Sequence, residues 1–105
     1  EDGMRPLLKA INSLGLSAIR GSVVVDKIMG KAAALLVSYF RAKEVHCVTL
    51  SARAKKVLDR QRIEHYWERL IPEIMNKAGT DICPFEKTVL DVDDPEKGYK
   101  LLSKK

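Results

Sequence analysis

Val23-Val24-Val25-Asp26-Lys27-Ile28-Met29-Gly30-Lys31-Ala32-Ala33-Ala34-Leu35-Leu36-Val37 is the stretch that decides the fold. Its three valines form a short β-branched run, which reads as the end of a strand over Ser17–Val25, buried on both faces. Asp26 is a favoured helix N-cap, because its carboxylate accepts hydrogen bonds from the first free N–H groups. The pattern then predicts a helix from Lys27 to about Arg41. Its segment Ala32–Val37 leaves almost no polar face, so this helix is buried and central. A buried strand feeding a buried helix is half of a βαβ unit.

Working outward, the same alternation continues. Pro6 suits a first helical turn and Gly15 its C-terminal cap, with Leu7, Leu8, Ile11 and Leu14 at helical spacing between them. Glu44–Leu50 reads as a second strand. Ser51 caps a helix over Ala52–Gln61, with Ala54, Val57 and Leu58 inward and the basic residues outward. Ile63–Trp67 reads as a third strand, and Arg69–Asn76 as a short helical segment carrying Pro72. A polar loop, Lys77–Ile82, leads to a helix over Pro84–Asp91, and Asp94-Pro95 opens a last helix to about Ser103. The expectation is an α/β fold with a largely parallel sheet. Three strands make a thin sheet, so its edge needs an N-terminal hairpin or self-association as a homo-oligomer to cover it.

The 105 residues support one domain, 1–105, with one core. Aromatics are 6% of the chain, so aliphatic side chains must build that core. The net charge of +5 favours anionic partners such as phosphates or nucleotides. The densest basic run is Arg53, Lys55, Lys56, Arg60 and Arg62, with a second at Lys97, Lys100, Lys104 and Lys105. No aromatic side chains are interleaved as stacking platforms, so nucleic acid is not favoured and a solvated basic surface is the plainer reading. Two cysteines, Cys47 and Cys83, imply no disulfide framework and suit a reducing, cytoplasmic compartment. The longest apolar stretch, Ala32–Val37, is far too short to span a bilayer. Neither C-x-x-C nor H-x-E occurs, so no zinc or other cofactor is expected, and His46 and His65 read as packing or surface residues.

Two local features could carry chemistry. In open α/β sheets, ligands bind beyond the carboxyl ends of strands, where a helix start offers free N–H donors. Lys27 and Lys31, four apart, would share a helix face there and make an anion-binding corner. Gly30 would cost that helix about 1 kcal/mol relative to Ala, which suggests a close neighbour. The plainer alternative is a simple Asp26 cap with lysines in solvent. It is not a phosphate-binding P-loop, which would need Gly at Val25 and Ser or Thr at Ala32. The second feature is Cys83, the N-cap before Pro84, with Glu86 three residues on. Glu86 could reach back to the Cys83 N–H as a capping box. Alternatively, the helix start could activate the Cys83 thiol as a nucleophile, with Lys27 or Glu86 assisting proton transfer.

Asp2–Leu8 (D-G-M-R-P-L-L), Asp26–Ala34 (D-K-I-M-G-K-A-A-A), Cys83–Glu86 (C-P-F-E) and Asp93–Pro95 (D-D-P) resemble the signature of a family of domains of unknown function with a cytidine-deaminase-like fold. Gly79-Thr80 is similar to the family's G-T pattern, whereas Lys77-Ala78 departs from its Arg-Asp. The resemblance implies a three-layer α/β/α arrangement with a mostly parallel mixed sheet, and an N-terminal hairpin that this stretch does not include. In zinc deaminases of that fold, H-x-E opens the central helix and P-C-x-x-C the next active-site helix. The corresponding places are Asp26-Lys27 and Cys83-Pro84, and one thiol without a histidine lacks the zinc ligand set. The expected function is therefore binding of a small anion or nucleotide-like molecule between two helix starts, by Asp26, Lys27, Gly30, Lys31 and Thr80, without zinc-dependent deamination. A cysteine-dependent enzyme using Cys83, Glu86 and Lys27, or a non-catalytic interaction domain, are the alternatives.

Overall fold

A computed structural model describes residues 4–75, 79 and 81–104. The element order is α1 (Met4–Leu14), α2 (Leu16–Ile19), β1 (Val23–Met29), α3 (Lys31–Tyr39), β2 (Glu44–Ser51), α4 (Ala52–Arg60), β3 (Glu64–Tyr66), β4 (Arg69–Ile71), α5 (Pro84–Thr88) and α6 (Pro95–Ser103). Strand β2 is central. It pairs in parallel with β1 on one side, and on the other with β3 and, further along, β4. The mixed α/β class and the mostly parallel sheet agree with the sequence. The one antiparallel bridge among the described residues outside the named strands joins Met75 to Ile82.

Helix α3 is the core. Residues Lys31–Ser38 are all buried, as a helix without a polar face requires. It packs against α1, α4 and α6. On α6, Tyr99 stacks on Tyr39 with ring centroids 4.6 Å apart, and its hydroxyl donates to Asn12 Oδ1 on α1 (2.6 Å). Ser51 caps α4 by accepting from the Ala54 N–H (3.0 Å), and Ala54, Val57 and Leu58 face inward as expected. Asp94 caps α6 in the same way, accepting from the Lys97 N–H. Gly15 ends α1 in the left-handed region, with φ +84, which glycine adopts without a Cβ penalty.

Four expectations fail. First, residues 16–19 form α2, so the strand starts later than Ser17; it then continues through Asp26 and Lys27 to Met29. Asp26 is consequently no helix cap, and α3 begins at Lys31 with Gly30 as its N-cap. The reason is pairing: Ile28 and Met29 oppose Thr49 and Leu50, and those ladder bonds hold the chain extended. Second, β1 is not buried on both faces. In register, Val24, Val45 and His65 share one face, and Val45 there is fully buried. The other face carries Val25, His46 and Tyr66, with Val25 78% exposed. Over this part of the sheet no third layer covers that face among the described residues. Third, Arg69–Ile71 is strand β4 rather than the start of a helix, and the third strand is interrupted at Trp67-Glu68. Fourth, helix α5 stops at Thr88, short of Asp91.

Candidate functional site

The end of β1 and the start of α3 meet a buried carboxylate from α5. Glu86 on α5 is buried, yet it lies against the N-terminus of α3 and not its own. Its carboxylate accepts from the Lys31 N–H (2.7 Å) and the Ala32 N–H (2.8 Å), two of the donors that a helix start leaves free. The capping box within α5 does not form; the Cys83 N–H donates to the Ile74 carbonyl instead. Burial pushes the Glu86 carboxyl above the ordinary glutamate value. The Ala32 and Lys31 N–H groups and the Lys31 and Arg53 charges pull it back.

Gly30 now has a physical reason. A Cβ there would lie 2.6 Å from Glu86 Oε1 and 2.7 Å from Ile74 Cγ1. Its backbone, φ −105 and ψ −175, is extended and open to any residue, so the requirement is space.

Lys31 is buried along its stem, as the first residue of α3. Its Nζ donates to the Leu90 carbonyl (2.9 Å) and pairs with Asp93 Oδ1 at 3.2 Å. Asp93 also meets Arg60 Nη1 at 3.4 Å. The hydrogen bond from Lys31, its charge and the weaker pull of Arg60 hold the Asp93 carboxyl below the ordinary aspartate value. Arg53, in the first turn of α4, donates from Nε and Nη2 to Glu73 Oε1. Lys56 completes the group and has no ion pair among the described residues. Together Lys31, Arg53, Lys56, Arg60, Leu90 and Asp93 line a hollow of about 250 Å³ between the start of α3, the length of α4 and the connection from α5 to α6.

The structure thus brings Gly30, Lys31 and Glu86 together but separates them from Asp26 and Lys27. Lys27 is exposed on a strand, where neighbouring side chains point to opposite faces, and shares no helix face with Lys31. Asp26 lies beside Cys47, its register partner, and burial raises its carboxyl. Burial and the Asp26 charge push the Cys47 thiol up to about 11. Cys83 is partly buried at the α5 start, and its side chain makes no cap hydrogen bond. His46 stacks on Tyr66 and lies 3.0 Å from Glu44 Oε1, and His65 Nε2 lies 3.3 Å from Asp59 Oδ1. Thr80 lies outside the described residues. Arg53, Lys56 and Arg60, which the sequence suggests are solvated surface, line the hollow. Their spacing of three and four along one helix was the signal that they share a face.

The family model described as a domain of unknown function (DUF1893) matches residues 1–105. The chain belongs to the DUF1893 family. The crystal structure of a DUF1893 family protein from Thermotoga maritima is similar over 100% of this chain and 71% of that one, at 28% identity and a TM-score of 0.83. No curated protein matches the sequence. Among the described residues no group of three or more His, Cys, Asp or Glu side chains is placed to hold a metal, and no helix is long and apolar enough to cross a membrane.

Proposed function

We propose that this DUF1893 protein binds a small anion, or the phosphate of a nucleotide-like ligand, in the hollow between the start of α3 and the basic face of α4. One observation carries the reading: four cationic side chains, Lys31, Arg53, Lys56 and Arg60, converge on one hollow whose lining, among the described residues, holds a single carboxylate, Asp93. Gathering like charges costs energy unless an anion relieves it. Two guanidinium groups supply the planar donor forks that match phosphate oxygens, and two ammonium groups act as point charges.

At the α3 N-terminus Glu86 already occupies two of the free donors, the Lys31 and Ala32 N–H groups. Recognition therefore falls to side chains. Lys31 is the residue shared with the anion corner expected from the sequence; Lys27 and Asp26 do not line this hollow, and Thr80 lies outside the described residues.

The test is calorimetric titration of the protein with inorganic phosphate and with a nucleoside monophosphate. Lys56→Ala and Arg60→Ala should each weaken binding about tenfold, the scale of one lost charge-assisted contact. Equal affinity of both variants and the parent would overturn the reading. A monophosphate that binds no tighter than phosphate confines it to a small anion.

A further inference from the structure

Resting on that reading, we infer that Asp93 is a built-in counter-ion that closes the hollow and that a dianionic phosphate must displace. Asp93 lies in the connection between α5 and α6 and reaches two of the hollow's cations at once, Lys31 Nζ at 3.2 Å and Arg60 Nη1 at 3.4 Å. Those are the positions an oxyanion would bridge. Its side chain is 61% exposed, so it can leave for water without a desolvation cost, and its contact with the equally exposed Arg60 holds with little net strength, whereas the pair with Lys31 has one buried partner.

The partners it would leave behind are provided for. Lys31 keeps the Leu90 carbonyl, and its ammonium has three donors to distribute. Arg53 is already matched by Glu73. The cations then awaiting a counter-charge are Lys31, Lys56 and Arg60. A single carboxylate answers one of these three charges and a phosphate dianion answers two, so a dianion out-competes the tethered carboxylate where a monoanion such as acetate gains little. The device selects by charge: it shields the buried Lys31 when the hollow is empty and sets a threshold that weak anions do not pass.

The experiment uses the intact chain with inorganic phosphate and acetate as probes, in the parent, Asp93→Asn, Asp91→Asn and Lys56→Ala. Asp91 is an exposed neighbour outside the lining, so its variant removes the same formal charge without opening the hollow. Asp93→Asn should bind phosphate about three- to tenfold tighter than the parent, and it should acquire measurable acetate binding. Asp91→Asn should change phosphate affinity less than twofold. Phosphate affinity in Asp93→Asn that equals or falls below the parent's, while Lys56→Ala still loses binding, overturns the counter-ion and leaves the anion site standing. An equal gain in Asp91→Asn assigns the effect to general electrostatics and also overturns it. Absence of phosphate binding in both the parent and Asp93→Asn removes the anion site and the counter-ion together. A single cooperative thermal transition in Asp93→Asn verifies that the fold is retained.

Discussion

Gly30 and Glu86 should behave as one unit, and a double-mutant cycle measures it. Glu86→Ala deprives two N–H groups of α3 of a charged acceptor. Hydrogen bonds to charged groups contribute about 1.5–3 kcal/mol each, and relief from burying the carboxylate returns part of that, which leaves a cost of about 3 kcal/mol. For a chain of this size the corresponding fall in melting temperature is roughly 12 °C. Gly30→Ala introduces a methyl group 2.6 Å from Glu86 Oε1 and 2.7 Å from Ile74 Cγ1. Overpacking of this kind costs about 1–3 kcal/mol, and alanine is a poorer N-cap than glycine. The methyl acts chiefly by pushing the carboxylate off its donors. Once Glu86 is already alanine, only the Ile74 contact remains to be relieved, so the two costs should fall short of additivity by about 1 kcal/mol or more. Urea unfolding followed by fluorescence of Trp67, the single tryptophan, gives all four stabilities. Strict additivity, or a Gly30→Ala cost below about 0.5 kcal/mol, would show that the carboxylate does not sit over Gly30 as described.

Three further outcomes follow from the same geometry. With its thiol pushed from 9.0 to about 11, Cys47 has about a hundredfold less thiolate near neutral pH than an ordinary cysteine, so a disulfide reagent on the native protein should label Cys83 far ahead of it; comparable rates would contradict the burial of Cys47. The Asp93 carboxyl lies below its ordinary 3.8 in the folded protein, so its pairing contributes stability above that value and loses it as the pH falls through the folded value; Glu86, raised above 4.5, contributes in the opposite sense and loses stability as the pH rises through its folded value. Urea midpoints from pH 2.5 to 7 should therefore show a shallower acid limb for Asp93→Asn than for the parent, and parallel limbs would mean that the pair contributes nothing. Gly98→Ala on α6 places a Cβ 2.9 Å from Leu35 Cδ1, and the overpacking should outweigh the gain of about 1 kcal/mol in helix propensity, for a net loss of about 1 kcal/mol in denaturant unfolding; a stabilised variant would show that α6 does not approach α3 so closely.

What could be read from the sequence was what local chemistry decides. Ser51 and Asp94 cap their helices, Pro95 opens α6, Gly15 closes α1, and the unbroken apolar run Ala32–Val37 announced a buried helix. What could not be read was decided between elements. Asp26 is as good a cap by type as Asp94, yet pairing with β2 carries the strand past it. Val23–Val25 resembles a fully buried strand because β-branched residues favour sheets whether or not both faces are covered, and only the register reveals that Val25 faces out. The local pattern sent Glu86 back to its own helix; the fold sends it across to α3, and no spacing rule connects residues that lie 55 positions apart.

That displacement by a few residues changes the kind of recognition available. Had the helix begun at Lys27, its free N–H groups and macrodipole would have been the main attraction for an anion, a donor array confined to the first helical turn. With Glu86 already seated on those donors, the hollow offers ammonium and guanidinium groups on partly exposed stems. Their attraction is screened over about 10 Å at 0.1 M salt, so phosphate binding should weaken steeply as ionic strength rises. The buried carboxylate and the basic hollow are therefore consequences of one structural fact. The internal anion satisfies the helix, Lys31 extends from that same first turn toward Leu90 and Asp93, and the positive charge left over lies on α4, where only side chains can present it to a ligand.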